Sequence, residues 1–207
     1  GVVSGVLGIR WFDCTVTGME AHAGPTPMAL RKDSLLAATR IMQDVVAAAH
    51  RHPPHGRGTV GMVQVFPNSR NVIPGRVKFS IDLRNSTDAL VDQMADEVKA
   101  FAAKVGQEHG VDVKIEMVSS YNAIAFHENC VDAVGRAARK LGYSNMPAVS
   151  GAGHDAVYMA KLAPSGMIFI PCKDGISHNE IEDAKPEHIT AGCNVLLHAM
   201  LERAGVV

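Results

Sequence analysis

The sequence predicts an α/β chain in two parts: a sheet backed by two helices over residues 1–119, and a stretch of a second α/β layer over residues 120–207. Two observations predict this division. Up to Val118 the apolar patterns run in the order β-α-β-β-α-β, the ferredoxin-like order that closes a four-stranded antiparallel sheet on itself. Beyond residue 120 the helical patterns are joined by only one or two short strands, and a parallel layer needs more strands and cover on both faces.

The first strand is read in Gly8–Gly18, where Ile9, Trp11, Phe12 and Val16 precede a glycine. Thr26-Pro27 reads as the cap and first residue of a helix. Leu35, Leu36, Ala38, Ile41, Met42, Val45 and Ala49 then recur at helical spacing to about His50, and His52-Pro53-Pro54-His55-Gly56 breaks the pattern. Thr59–Phe66 is the second strand and Pro67–Gly75 a polar loop. In Arg76–Arg84, Val77, Phe79, Ile81 and Leu83 alternate with Lys78, Ser80, Asp82 and Arg84, the period of a half-buried strand, so Arg84 points away from the apolar face. A helix follows from Thr87 to His109, with Gly110 as its stop, and Val111–Val118 is the fourth strand. The domain boundary is placed near Ser119. The rest reads as a helix near Asn129–Leu141, a glycine turn at Ser150–Gly153, a short helix, a strand at Met167–Ile170, and a last helix from about Pro186 to Gly205. This part lacks a sheet to complete, and its other half is expected upstream of Gly1, a first residue that is not Met.

Composition narrows the function. Lys and Arg number 20 against 21 for Asp and Glu, so there is no net field to gather nucleic acid or an anionic membrane, and a small molecule is the expected partner. The longest apolar runs, such as Met167–Pro171, fall far short of the ~20 residues of a membrane-spanning helix. Cys14, Cys130, Cys172 and Cys193 form no C-x-x-C pair, which fits a reduced cytoplasmic chain.

Four segments carry chemistry. His22 follows a strand and precedes Gly24-Pro25-Thr26-Pro27, a place where side chains are displayed to ligands; an ordinary turn histidine has the same spacing. Asn71 lies in the polar loop that leads into the strand ending at Arg84, whose planar fork pairs bidentately with carboxylates. With Asp82 two residues earlier, a surface ion pair is the plainer reading of Arg84. The turn Gly151-Ala152-Gly153 brings main-chain N–H groups close to an anion or is simply tight. His178, in the loop after the Met167–Ile170 strand, stands where α/β sheets place ligands; it reads as a metal ligand or as a capping residue, with Glu180 or Glu182 as hydrogen-bond partner. His50, His52 and His55 beside two prolines read as a solvated loop, with no carboxylate or cysteine nearby in sequence. No G-x-S-x-G elbow is present, so covalent catalysis is disfavoured against metal-assisted hydrolysis or simple binding.

Together, His-Ala-Gly-Pro-Thr-Pro-Met, Asn-Val-Ile-Pro-Gly with Ile-Asp-Leu-Arg, Ser-Gly-Ala-Gly-His-Asp-Ala and Gly-Ile-Ser-His-Asn-Glu resemble the hydantoinase/carbamoylase family of amidases, within the M20 metallopeptidase-like superfamily. The resemblance spans almost the whole chain. It implies a ferredoxin-like lid and dimerisation domain, followed by the C-terminal part of a zinc-peptidase-like α/β catalytic domain. It implies hydrolysis of the ureido C–N bond of N-carbamoyl amino acids, with allantoate as the alternative substrate and a non-catalytic dimerisation module as the alternative class. By the same resemblance His22 stabilises the oxyanion, Asn71 and Arg84 hold the substrate carboxylate, Gly151, Ala152 or Gly153 lends that carboxylate a main-chain donor, and His178 is the last metal ligand. The family uses two divalent metal ions per site, of zinc, manganese, cobalt or nickel. Its other ligands and its general-base glutamate belong to the half not represented here, so this chain alone is expected to be metal-free and inactive. A homodimer through the lid is implied, with the lid histidine reaching the partner's active site.

Overall fold

A computed structural model describes residues 1–206. In chain order its strands are β1 (Val2–Val6), β2 (Gly8–Thr17), β3 (Ala21–His22), β4 (Arg57–Thr59), β5 (Val63–Phe66), β6 (Val72–Ile73), β7 (Arg76–Asn85), β8 (Asp112–Tyr121), β9 (Ile124–Ala125), β10 (Pro147–Ser150) and β11 (Met167–Ile168). The helices are α1 (Ser34–Arg51), α2 (Asp88–His109), α3 (Glu128–Lys140), α4 (Asp155–Met159) and α5 (Pro186–Arg203). They form two compact units, one of Gly8–Ala123 and one of Gly1–Leu7 with Ile124–Val207. Among the described residues no helix is long and apolar enough to cross a membrane.

The Gly8–Ala123 unit has the expected ferredoxin-like sheet, in the order β4-β7-β2-β8 with β5 also on β7, all pairs antiparallel. The alternation read in β7 holds: Val77, Phe79, Ile81 and Leu83 are buried and pack with Ile41 and Val45 of α1 and Met94 and Val98 of α2. The strand expected at Thr59–Phe66 is two pieces, β4 and β5. Thr59 pairs with Asp82 and Val63 with Phe79, so three residues oppose two, and the Ser80 hydroxyl accepts the N–H groups of Gly61 and Met62 at 3.2 and 3.0 Å within this bulge.

Helix α1 begins at Ser34 rather than at Pro27. The Asp33 carboxylate accepts the N–H groups of Leu35 and Leu36 at 3.0 Å each, a stronger cap than Thr26 offers. The residues ahead of it stay out of the helix because Arg31 holds the carbonyls of Ala23 and Thr26 at 2.6 and 3.0 Å, and because exposed Met28 and Leu30 have no core to join. Helix α2 follows its expected bounds, with Thr87 capping Leu90 at 3.2 Å and Gly110 closing it at φ 62°.

The boundary near Ser119 moves on two counts. Strand β8 continues to Tyr121, opposite Ile9, so the unit closes at Ala123. The first seven residues belong to the other unit: β2 is flanked on both sides by β7 and β8 and has no edge left for β1. Instead β1 lies between β10, to which it is parallel, and β11 and β9, to which it is antiparallel. The second unit therefore holds a four-stranded mixed sheet where one or two strands were expected. Val3 and Val6 are buried with Phe126, and α3 packs on α5 through Ala133, Ala137, Val195 and Ala199. On α5, Ile189, Leu196, Leu197 and Met200 remain about half exposed.

Candidate functional site

In the Gly8–Ala123 unit, His22 sits on the two-strand ribbon β3–β6, opposite Val72, and the Ala23 N–H donates to the Asn71 carbonyl at 2.8 Å. The ribbon thus makes His22 and Asn71 neighbours across 49 residues of sequence, 71 minus 22. Both are exposed. The Gly24 N–H donates to His22 Nδ1 at 3.0 Å, so Nδ1 carries no proton in this arrangement and the neutral ring carries it on Nε2. A Cβ at position 24 would stand 3.3 Å from Cε1 and Nδ1 of the ring, a tight approach. The imidazole is left as an outward Nε2–H donor. Asn71 Oδ1 accepts from the Ser69 hydroxyl at 3.0 Å, which fixes the amide with its nitrogen turned the other way.

Arg84 is partly buried near the far end of β7, with Ile9 and Arg57 opposite it on β2 and β4. The ion pair with Asp82 is present: Arg84 Nε donates at 2.9 Å and Nη2 at 2.6 Å to the two carboxylate oxygens. These hydrogen bonds raise the guanidinium pKa further above its usual value, against the opposing effect of partial burial. The structure does not bring Arg84 to Asn71 within one chain. The β3–β6 ribbon adjoins the Arg76 end of the strand, through Gly18 N–H to Gly75 O at 2.8 Å. From Arg76 to Arg84 the strand covers about 26 Å at the usual rise per residue.

In the other unit the Gly151–Gly153 turn follows β10 and is exposed, while Ser150 is 1% exposed. The Ser150 hydroxyl donates to Ala152 O at 2.8 Å, accepts the Ala152 N–H at 3.2 Å, and lies 3.1 Å from His154 Nε2. Having given its proton to Ala152, this hydroxyl accepts from His154, whose ring meets Phe169 edge-on at 5.6 Å. Ala152 N–H is therefore already committed, and Gly151 is engaged as well. Gly153 N–H is the donor of the turn that pairs with no described residue. Sequence spacing marks the turn but not this division of labour, which depends on the burial of Ser150.

His178 is exposed and held at φ 57°, the left-handed region, and the Glu182 carboxylate accepts its backbone N–H at 2.9 Å. Glu182 thus fixes the histidine through the main chain rather than through the ring. Among the described residues no three His, Cys, Asp or Glu side chains converge as a metal ion requires, and a catalytic zinc takes three protein ligands. His52 does find a carboxylate, Glu97 at 2.8 Å, but Arg51 shares it at 3.0 Å and the cluster ties α1 to α2.

The chain thus holds one antiparallel ferredoxin-like unit and one unit with a small mixed sheet. The model of Peptidase family M20/M25/M40 matches residues 15–202, and the chain belongs to that family. It is 45% identical over 207 residues to an N-carbamoyl-L-amino-acid amidohydrolase of Rhizobium meliloti, covering 100% of this chain and 50% of that protein. An allantoate amidohydrolase of Bacillus subtilis is 31% identical over 204 residues, with 99% and 50% covered. The crystal structure of an amidase of the hydantoinase/carbamoylase family from Burkholderia multivorans superposes with a TM-score of 0.95 at 52% identity, over 99% of this chain and 50% of that one. The chain spans about half the length of the relatives it matches.

Proposed function

We propose that this chain supplies the substrate-binding and oxyanion-stabilising residues of a hydrolase that cleaves the ureido C–N bond of N-carbamoyl amino acids. Water and the substrate give ammonia, carbon dioxide and the amino acid. The observation that carries this reading is the Gly24 N–H bond to His22 Nδ1, which leaves Nε2 as the donor of an exposed ring seated beside Asn71. A fixed N–H donor of that kind stabilises the oxygen that gains negative charge when the carbamoyl carbon is attacked. Arg84 and Asn71 bind the substrate carboxylate, and Gly153 N–H is the main-chain donor of the Gly151–Gly153 turn. Because Arg84 and Asn71 stand at opposite ends of β7, a second copy of the chain supplies His22 and Asn71 to the substrate that Arg84 holds, which makes the active form a homodimer.

His178 contributes one ligand to a centre of two divalent ions, whose remaining ligands come from residues outside this chain; such a centre supplies Lewis-acid activation of water and carbonyl. The allantoate reading employs the same residues, and the higher identity to the carbamoylase favours the first. The reading is tested in a polypeptide of the relatives' full length that contains this chain. Arg84→Lys replaces a bidentate fork by a point charge, and KM for an N-carbamoyl amino acid is expected to rise roughly ten- to hundredfold. An unchanged KM removes Arg84 from the site.

A further inference from the structure

The segment that follows His22 cannot hold itself by main-chain hydrogen bonds alone. In Gly24-Pro25-Thr26-Pro27 both prolines lack an N–H, and the chain there follows neither a strand nor a helix. Arg31 supplies the missing donors: Nε and Nη2 reach Thr26 O at 3.1 and 3.0 Å, and Nη2 reaches Ala23 O at 2.6 Å. Among the described residues no carboxylate pairs with this guanidinium, so the carbonyls of the loop are its partners. One of those carbonyls bears on the imidazole. Ala23 O and Gly24 N–H belong to one planar trans peptide and point in opposite directions. The Arg31 cation holds the oxygen edge of that peptide at 2.6 Å, and the N–H edge donates to His22 Nδ1 at 3.0 Å. The Ala23 N–H is tied to Asn71 O at 2.8 Å, so Ala23 is held on both sides.

A peptide whose oxygen accepts from a cation is the stronger donor through its N–H, because hydrogen bonds in series polarise one another. A donor aimed at developing charge is worth most when its orientation is fixed before the reaction. His22 is exposed, so no packing around the ring sets that orientation, and the bond from Gly24 does. We propose that Arg31 is a positioning residue for His22: through the Ala23–Gly24 peptide it holds the imidazole with Nδ1 engaged and Nε2 outward. This rests on the reading of His22 as the oxyanion donor. Nε and Nη2 of Arg31 are spent inside the loop, so the effect on the substrate runs through the ring.

The first measurement uses the 207-residue chain labelled with nitrogen-15, at mildly alkaline pH. A coupling across the hydrogen bond between Gly24 N and His22 Nδ1 is expected in the wild type, lost in Arg31→Gln and kept in part by Arg31→Lys, with the signals of the buried core unmoved. A wild type without the coupling, or a coupling unchanged in Arg31→Gln, overturns the proposal. If Arg31→Gln disturbs the core signals, Arg31→Lys decides: a weakened coupling supports the proposal and an unchanged one overturns it. The second measurement uses the polypeptide of full relative length. Arg31→Gln is expected to lower kcat about tenfold, the factor that corresponds to one hydrogen bond, and to leave KM within about twofold. Added to His22→Ala it should cost nothing more, because the group through which it acts is gone. A merely structural Arg31 would lower the residual activity of His22→Ala by the same factor again, and that outcome overturns the proposal. If His22→Ala itself keeps its kcat, the reading beneath has failed while the coupling still reports on Arg31, so the two failures are told apart.

Discussion

The separation of His22 and Asn71 from Arg84 makes a quantitative prediction about subunit mixing. On one chain, His22 pairs with Val72 on the β3–β6 ribbon next to Asn71, whereas Arg84 lies opposite Ile9 at the other end of β7. The strand between covers about 26 Å, while every contact to the substrate is a hydrogen bond of about 3 Å. One N-carbamoyl amino acid cannot touch both ends of the same strand. If all three side chains act on it, the ribbon of one subunit meets the arginine of the other. In a polypeptide of full relative length, His22→Ala and Arg84→Ala are each expected to be nearly inactive. Mixed in equal amounts and allowed to exchange, half of the dimers are mixed, and each of those rebuilds one intact site of two, so about a quarter of wild-type activity should return. Ammonia release measures it, and subunit exchange is followed independently with two affinity tags. Mixing His22→Ala with Asn71→Ala is the control, because both losses fall on the same ribbon and no intact site forms. Were exchange complete and the first mixture no more active than its parents, the arrangement across two copies would be refuted.

Three further outcomes are expected. In the full-length polypeptide His22→Ala should lower kcat by about 10²–10³, the usual loss for one oxyanion donor, with a smaller change in KM and unaltered metal content by elemental analysis; a change confined to KM would remove the oxyanion role. Leu83→Ala, at a fully buried position of the sheet, should cost ~2–5 kcal/mol in urea unfolding of the 207-residue chain, and a loss under ~1 kcal/mol would mean that the core is not packed as described. Burial pushes the Cys14 thiol from 9.0 up to about 12, so the folded chain keeps a proton that the unfolded chain releases. Stability tied to that proton is whole below about pH 9 and is lost as pH rises towards about 12, so the unfolding midpoint should fall less steeply above pH 9 in Cys14→Ala than in the wild type.

The main strands and helices of the Gly8–Ala123 unit, and the faces they bury, were legible in the sequence. The alternation from Val77 to Leu83 and the helical spacing from Leu35 to Ala49 are short-range consequences of burying one side of a strand or helix, and both hold. The sequence also marked His22, Asn71, Arg84, the Gly151–Gly153 turn and His178, because their motifs are local. What the sequence could not decide depends on partners far along the chain. Gly1–Leu7 joins β10, β11 and β9 because the edges of β2 are taken by strands some 70 and 100 residues later, a choice that no local pattern encodes. Helix α1 starts at Ser34 because Asp33 competes as a cap while Arg31 holds the preceding loop. The protonated nitrogen of His22, the commitment of Ala152 N–H to Ser150, and the union of Asp82 with Arg84 are facts of hydrogen-bond geometry. Only the tertiary structure showed that Asn71 and Arg84, thirteen residues apart in sequence by 84 minus 71, face opposite ends of the same sheet, because a strand carries its residues apart at about 3.3 Å each where a turn would have kept them together.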